Sequence, residues 1–360
     1  MKVLIIAYCN GNLGDDLFFY ELCNRYKNHT FYLVGLEQYR ELFQECSNLH
    51  YINQNGRMWR YYAKVRNRIR KVLNKRTDTM LTTIRLVLKK FCGLTVLIGG
   101  SVFMQGDNWK EELEIRKQLL PGQTVLLGCN YRLANSEEYR SAYTELFRSV
   151  KDICFRDRAS YEQFQSLPNV RVASDILFGL TAEGCRTEKY YIISVIDVTK
   201  KVQKQEHAEM YYKRMAECAY FLQEQGQKVV LFSFCEGEGD MAAIAEVQSY
   251  MSETKNVEVL NHKNIKESLD CIRNCKGLIT ARFHGMVLGI NYGKEVYPVI
   301  YSDKTTQVLR DIEFTGAYAK IAELDTITAE EMFRQMESGY QVREDRNPQE
   351  QFKILDEILR

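Results

Sequence analysis

Only four prolines stand in 360 residues, and none belongs to a Pro-rich linker or a low-complexity tract. No apolar run approaches the roughly twenty residues of a membrane-crossing helix. Met1 runs straight into the apolar stretch Val3–Ala7, which is too short, and too polar afterwards, for a secretory leader. A dominant charge sign is lacking too. Lys and Arg number 49 against 47 Asp and Glu, so the net charge of +2 selects no partner class. The 11 cysteines show no paired spacing of a zinc site, and Cys9, Cys23, Cys46, Cys92 and Cys129 fall mostly among apolar residues. Cys271 and Cys275 are four apart on an expected helix, too few ligands to hold a metal. The expectation is therefore reduced, buried thiols in a cytoplasmic protein, with no metal. No internal repeat of short period is present.

What is there is an ordinary globular composition, 45% hydrophobic and 27% charged, in a chain long enough for two domains with substantial cores. Buried-strand signals run Val3–Ala7, Phe31–Val34, Leu94–Ile98, Thr124–Gly128, Asp152–Phe155 and Val170–Ala173. They resume at Tyr190–Ile196, Lys228–Phe234, Val257–Leu260, Leu278–Thr280 and Val296–Tyr301. Helical periodicity fills the gaps, for example about Leu17–Tyr26, Glu206–Glu224 and Ile265–Cys275. This alternation predicts an α/β fold built on open parallel sheets. The polar stretch Thr181–Lys189, with Gly184, marks a boundary. It leaves a first domain at 1–182 and a second at 190–325. Helices in 326–360 are available to cross back to the first.

The densest chemistry lies between Gly277 and Lys304. A short strand, a turn, a helix and a second strand follow one another there. Parallel sheets bind ligands beyond the carboxyl ends of their strands, near helix N-termini, and Arg282 and His284 stand at that place. One is a permanent cation suited to carboxylate or phosphate; the other can carry a proton near neutral pH. Each has a duller reading. His284 could simply pack beside the helix start, and Lys304 could be an exposed lysine after a strand. Asn10–Asp16 offers a glycine-bearing loop, in which Asp15 is either a helix cap or a partner for a ligand. Gly99-Gly100-Ser101 permits close approach of a ligand to backbone, or close strand–helix packing. Arg156 could bind an anion or pair with Asp157. The acidic loop Glu236–Asp240 reads as a helix start dressed with acids, with a cation site as the rarer option.

Residues 46–77 change character. They carry nine basic residues (within 57–76) and no acidic one. Tyr62, Val65, Ile69 and Val72 recur at helical spacing among them. Such a helix suits an anionic membrane surface or a phosphate-bearing ligand, unless it only packs on its domain. No nucleic-acid motif accompanies it, and nucleic acid is not expected as a partner.

Taken in order, Gly11-Asn12-Leu13-Gly14-Asp15, Gly99-Gly100-Ser101, Phe155-Arg156-Asp157-Arg158-Ala159-Ser160, Ser174-Asp175 and Arg282-Phe283-His284-Gly285 with Tyr301–Lys304 resemble the polysaccharide pyruvyl transferase family. The likeness runs from Val3 to about Asp311. Two departures are visible: Ser101 stands where a third glycine is frequent, and Ile176 where proline often follows the aspartate. The resemblance implies two Rossmann-like domains facing across a cleft, GT-B-like, with phosphoenolpyruvate as donor and no further cofactor. A saccharide would be the acceptor, for capsule or exopolysaccharide, and pyruvate would end as a cyclic ketal on two hydroxyls. By motif, Arg156, Arg282 and His284 become catalytic and donor-site candidates, joined by Phe283, Gly285 and Lys304. Asn12, Asp15, Gly100 and Ser101 become acceptor candidates. With the basic segment 57–76, a lipid-diphosphate-linked acceptor at the inner face of the cell membrane is a further expectation. The rival readings are a nucleotide-sugar glycosyltransferase of the GT-B kind and a non-enzymatic carbohydrate-binding protein.

Overall fold

Runs of apolar residues five or six long, without alternation, become strands covered on both faces. In the computed structural model all strand pairs among the described residues are parallel, and they form two sheets. The structure describes residues 1–360 except 74–76, 133–134, 183, 186–187, 200–204 and 344–345. Lys75 and Arg76 of the basic segment, and Glu183, Arg186 and Thr187 of the expected boundary, lie outside the described residues.

The chain divides into two units. Unit 1 comprises 1–10, 18–176 and 347–360; unit 2 comprises 11–17 and 177–346. Unit 1 holds β1 (Lys2–Ile6), β2 (Thr30–Gly35), β3 (Leu49–Asn53), β4 (Leu94–Ile98), β5 (Gly122–Cys129), β6 (Val150–Phe155) and β7 (Val170–Val172), in the order β3-β2-β1-β4-β5-β6-β7. Every residue of β4 is buried. An aromatic cluster of Phe103, Tyr139, Tyr143, Phe147, Phe155 and Phe164 fills the core on one side. The C-terminal segment is tied to this unit by polar groups. Gln351, fully buried, accepts from Gly128 N at 3.0 Å and donates to the carbonyls of Phe155, Ala173 and Ser174. Arg25 pairs with Asp356 at 2.6 Å.

Unit 2 holds β8 (Tyr190–Ser194), β9 (Lys228–Ser233), β10 (Val257–Asn261), β11 (Gly277–Thr280), β12 (Glu295–Ile300) and β13 (Ala319–Lys320), in the order β10-β9-β8-β11-β12-β13. Both orders reverse direction once, between β1 and β4 and between β8 and β11. Ligands of such sheets sit beyond the strand ends at that reversal. Gly99-Gly100-Ser101 follows β4, and the Arg282–His284 turn follows β11.

Some elements depart from expectation. The helix expected from Leu17 spans Leu13–Arg25, because Asn12 O already accepts from Asp16 N at 2.9 Å. The helix that the sequence pattern places around Gln38–Gln44 is a 3-10 turn, Glu37–Phe43. The helices expected to fill most of 329–360 are two short ones, Ala329–Glu337 and Lys353–Leu359. Gly339, at φ 78°, ends the first, and Pro348 opens the turn before the second. Among the described residues no helix is long and apolar enough to cross a membrane.

Candidate active site

The Arg282 turn is built by its own strand. Thr280 Oγ1 accepts from Arg282 N at 3.1 Å and donates back to Arg282 O at 3.2 Å. The helix Phe283–Asn291 starts at once. A side chain at Gly285 would place Cβ 2.4 Å from Thr280 Oγ1, so only glycine lets helix and strand approach this closely. The first-turn amides of such a helix have no intrahelical acceptor and carry its positive end.

Arg282 is buried, and its guanidinium is gripped by two carboxylates. Nε donates to Asp240 Oδ2 at 3.0 Å, Nη2 to Asp240 Oδ1, and Nη1 to Glu238 Oε2 at 2.5 Å. Asp240 Oδ2 also accepts from the amides of Phe234 and Cys235, each at 3.0 Å. Burial works against the Arg282 cation, but Asp240 and then Glu238 outweigh it and hold its pKa above the ordinary value. Burial also pushes the Asp240 carboxyl up, against Arg282 and the Cys235 amide. With four donors converging on it, Asp240 is the anionic half of an ion pair. Glu238 differs: its side chain is 26% exposed, against 0% for Asp240. The acidic loop thus supplies counter-charges to Arg282. Among the described residues no three His, Cys, Asp or Glu side chains gather as a cation site.

The glycine loop that follows β1 belongs to this same unit. Leu13 N donates to Phe234 O at 3.0 Å, and Asn12 Nδ2 to Glu238 Oε1 at 3.2 Å. Asn12 Oδ1 accepts from Gly14 N at 3.1 Å and fixes the loop. Gly14 is required by His284: a Cβ there would stand 1.6 Å from the ring's Nδ1. The imidazole therefore lies directly on the Gly14 backbone, with the Phe283 ring edge-on at 5.1 Å between centroids. Asn12, Gly14, Arg282 and His284, remote in sequence, come together in unit 2. Asp15, next to Gly14 in the first turn of the helix Leu13–Arg25, is half-buried. Lys304 lies in the first turn of the helix Asp303–Asp311, its Nζ 5.8 Å from the Tyr301 ring centre.

One group under this loop carried no sequence signal. Asp16 and His262, both wholly buried, approach at 3.3 Å, and the other ring nitrogen of His262 lies 2.8 Å from Ser268 Oγ. Among the described residues Asp16 Oδ1 has no hydrogen-bond partner. Burial raises the Asp16 pKa, with the His262 hydrogen bond opposing. The folded state then binds a proton that the unfolded chain releases earlier. That stability is present at low pH and is lost as pH rises through the raised value. Asp16→Asn has no such loss. Its stability relative to the parent should climb as pH rises from the ordinary carboxylate range toward the raised value, read as the difference in urea midpoints. A difference flat with pH would show that Asp16 does not titrate in this way.

In unit 1, Arg156 follows β6, and its amide bonds Cys129 O at 3.0 Å. Its buried guanidinium meets Asp175 Oδ2 and Asn130 Oδ1, each at 3.0 Å. Asp157 instead caps the helix Arg158–Glu162. The guanidinium lies on Gly100, where a Cβ would stand 2.5 Å from Nη2. Gly100, Asn130, Arg156 and Asp175 form one group, with half-buried Ser101 beside Gly100 in sequence. Asn130 carried no signal in the sequence, because its partner is 26 residues away; Glu238 and Asp240 stood out as an acidic loop, but not as partners of Arg282.

A family model described as polysaccharide pyruvyl transferase matches residues 12–303. No curated protein matches significantly. Among solved structures, the UDP-GlcNAc 2-epimerase of Methanocaldococcus jannaschii, in complex with UDP-GlcNAc and UDP, is similar at TM-score 0.61. It is 10% identical, over 99% of each chain. The HepE protein of Anabaena, in complex with UDP and glucose, is similar at TM-score 0.56 and 11% identity, over 100% of this chain and 99% of that one. At such identity the likeness carries the fold alone: α/β, with two Rossmann-like units of the GT-B type.

Proposed function

Because the chain belongs to the polysaccharide pyruvyl transferase family, and so is a transferase acting on polysaccharide, we propose that its donor is phosphoenolpyruvate and its product a cyclic pyruvate ketal. The observation that carries this reading is the seating of His284 on Gly14, two residues after a buried arginine at a strand's carboxyl end. An acid–base group is thereby held in one place beside a cation.

In this reading two sugar hydroxyls become the ketal oxygens. A proton joins the methylene carbon of the donor and makes it a methyl. The first hydroxyl bonds to the adjacent carbon, and the second then displaces phosphate from it. Two hydroxyl protons are lost; one ends on the methyl carbon and the other on phosphate. His284 moves these protons, as the acid at carbon or the base at oxygen. The donor carboxylate takes the place that Glu238 Oε2 holds on Arg282 Nη1. Asp240 remains as the permanent partner. This exchange is favoured because Glu238 is the partly exposed carboxylate of the two and can return to water. First-turn amides of Phe283 to Gly285 and the Lys304 ammonium assist with anionic oxygens. Arg156 is the cationic candidate of unit 1. Asn12, Asp15, Gly100 and Ser101 are the acceptor candidates. That acceptor is a sugar of a polysaccharide or of its lipid-linked precursor, and no cofactor beyond the donor is invoked.

Thermal shift tests the donor. Phosphoenolpyruvate should raise the melting temperature and UDP-GlcNAc should not. With a saccharide panel, free and lipid-linked, phosphate should appear together with an acceptor mass gain of one pyruvate less one water. Stabilisation by UDP-GlcNAc alone would replace this reading with glycosyl transfer.

A further inference from the structure

The helix Arg57–Val72 after β3 presents three faces. Trp59, Ala63, Arg66, Asn67 and Arg70 turn inward or are half-buried. Arg66 and Arg70 are spent there on Asp78, at 2.9 Å and 3.3 Å. Met58, Tyr61, Tyr62, Val65, Ile69 and Val72 occupy a second stripe, roughly 100° wide at 3.6 residues per turn. That stripe faces solvent: Met58 is 69%, Tyr61 73% and Val72 79% exposed. A protein of ordinary composition does not leave six large apolar side chains in line on one helix without an occupant. Along one flank of the stripe run Arg60, Lys64, Arg68 and Lys71, all exposed. They line a cleft of about 550 Å³ together with Asn67 and Thr77. No acidic residue occurs between 46 and 77.

We propose that this helix is a membrane-surface element, lying in the interface of an anionic bilayer with its apolar stripe among the acyl chains and its basic flank on lipid phosphates. The charge settles which occupant fits. A second copy of the helix would bring a row of four cations against another such row. A neutral partner would leave that row without a counterpart. An anionic lipid surface satisfies both faces at once, since burial of the stripe and Coulomb attraction add in the same plane. The apolar stripe also separates it from a nucleic-acid site, which would place basic residues, not exposed aliphatic ones, at the centre of contact. The inference rests on unit 1 alone and stands apart from the donor chemistry.

Vesicle flotation with the full chain tests it. Binding should be strong on vesicles with about a third phosphatidylglycerol, weak on pure phosphatidylcholine, and reduced by salt. Ile69→Glu/Val72→Glu should lower partitioning at least tenfold. Arg60→Gln, Lys64→Gln, Arg68→Gln and Lys71→Gln should each lower it roughly fivefold. These side chains are exposed, so unchanged melting temperatures are expected and separate lost binding from lost fold. No flotation of the parent, or equal flotation on neutral vesicles, would overturn the proposal. So would a parent that is dimeric in sedimentation and becomes monomeric on Ile69→Glu/Val72→Glu, since the stripe would then be a contact between copies.

Discussion

Replacing His284 with Gln should lower acceptor-dependent phosphate release by about 10²- to 10⁴-fold, the usual weight of a positioned general acid or base. The fold should survive, because the residue is half-buried in a first helical turn. Gly14→Ala should cost a similar factor while the chain keeps its histidine. Its Cβ would stand 1.6 Å from Nδ1, inside any possible contact, and the ring must leave its seat. Gly106→Ala, where a Cβ meets nothing within 4 Å among the described residues, is the matched control and should keep activity. The pair separates chemistry from packing. Turnover within threefold of the parent in both His284→Gln and Gly14→Ala would remove His284 from the reaction. A loss in Gly14→Ala alone would mark the loop, not the ring, as what matters.

The sheets were legible because their strands are short unbroken apolar runs, and β1, β4 and β11 are readable from such runs. β3 was not, since Leu49-His50-Tyr51-Ile52-Asn53 is a half-exposed edge strand with no alternation. The candidate site was legible where chemistry is local. Arg282 and His284 are two residues apart, and a strand-to-helix turn announces them. Their partners were hidden, because they are set by tertiary folding. Glu238 and Asp240 reach Arg282 across 44 and 42 residues, and Asp16 reaches His262 across 246. Nothing in Glu236–Asp240 distinguishes acids that dress a helix start from acids that neutralise an arginine. Likewise, periodicity revealed an amphipathic helix within 57–76 but not that its apolar stripe is the outward one. Only packing decides that, through small Ala63 and the ion pairs of Arg66 and Arg70 with Asp78.

Arg282 and Glu238 should respond to truncation with opposite signs. Arg282→Ala leaves Asp240 buried without its cation, and breaking a buried pair in this way costs about 3–5 kcal/mol. The urea midpoint should fall accordingly, and donor-dependent turnover with it. Arg282→Lys should recover part of the stability, since charge returns. It should recover little activity, since one ammonium cannot meet Asp240 with two nitrogens and still offer a third to the donor. Glu238→Ala removes the carboxylate whose place the donor is proposed to take. The donor's KM should then fall by about three- to tenfold, the size of one partly screened charge interaction, with kcat nearly kept. A competitor for Arg282 lowers apparent affinity while it is present, whereas a group that grips the donor or acceptor raises it. If Glu238→Ala instead raised the KM, the carboxylate would belong to the substrate-binding set, and the donor would have to meet Arg282 by some face other than Nη1.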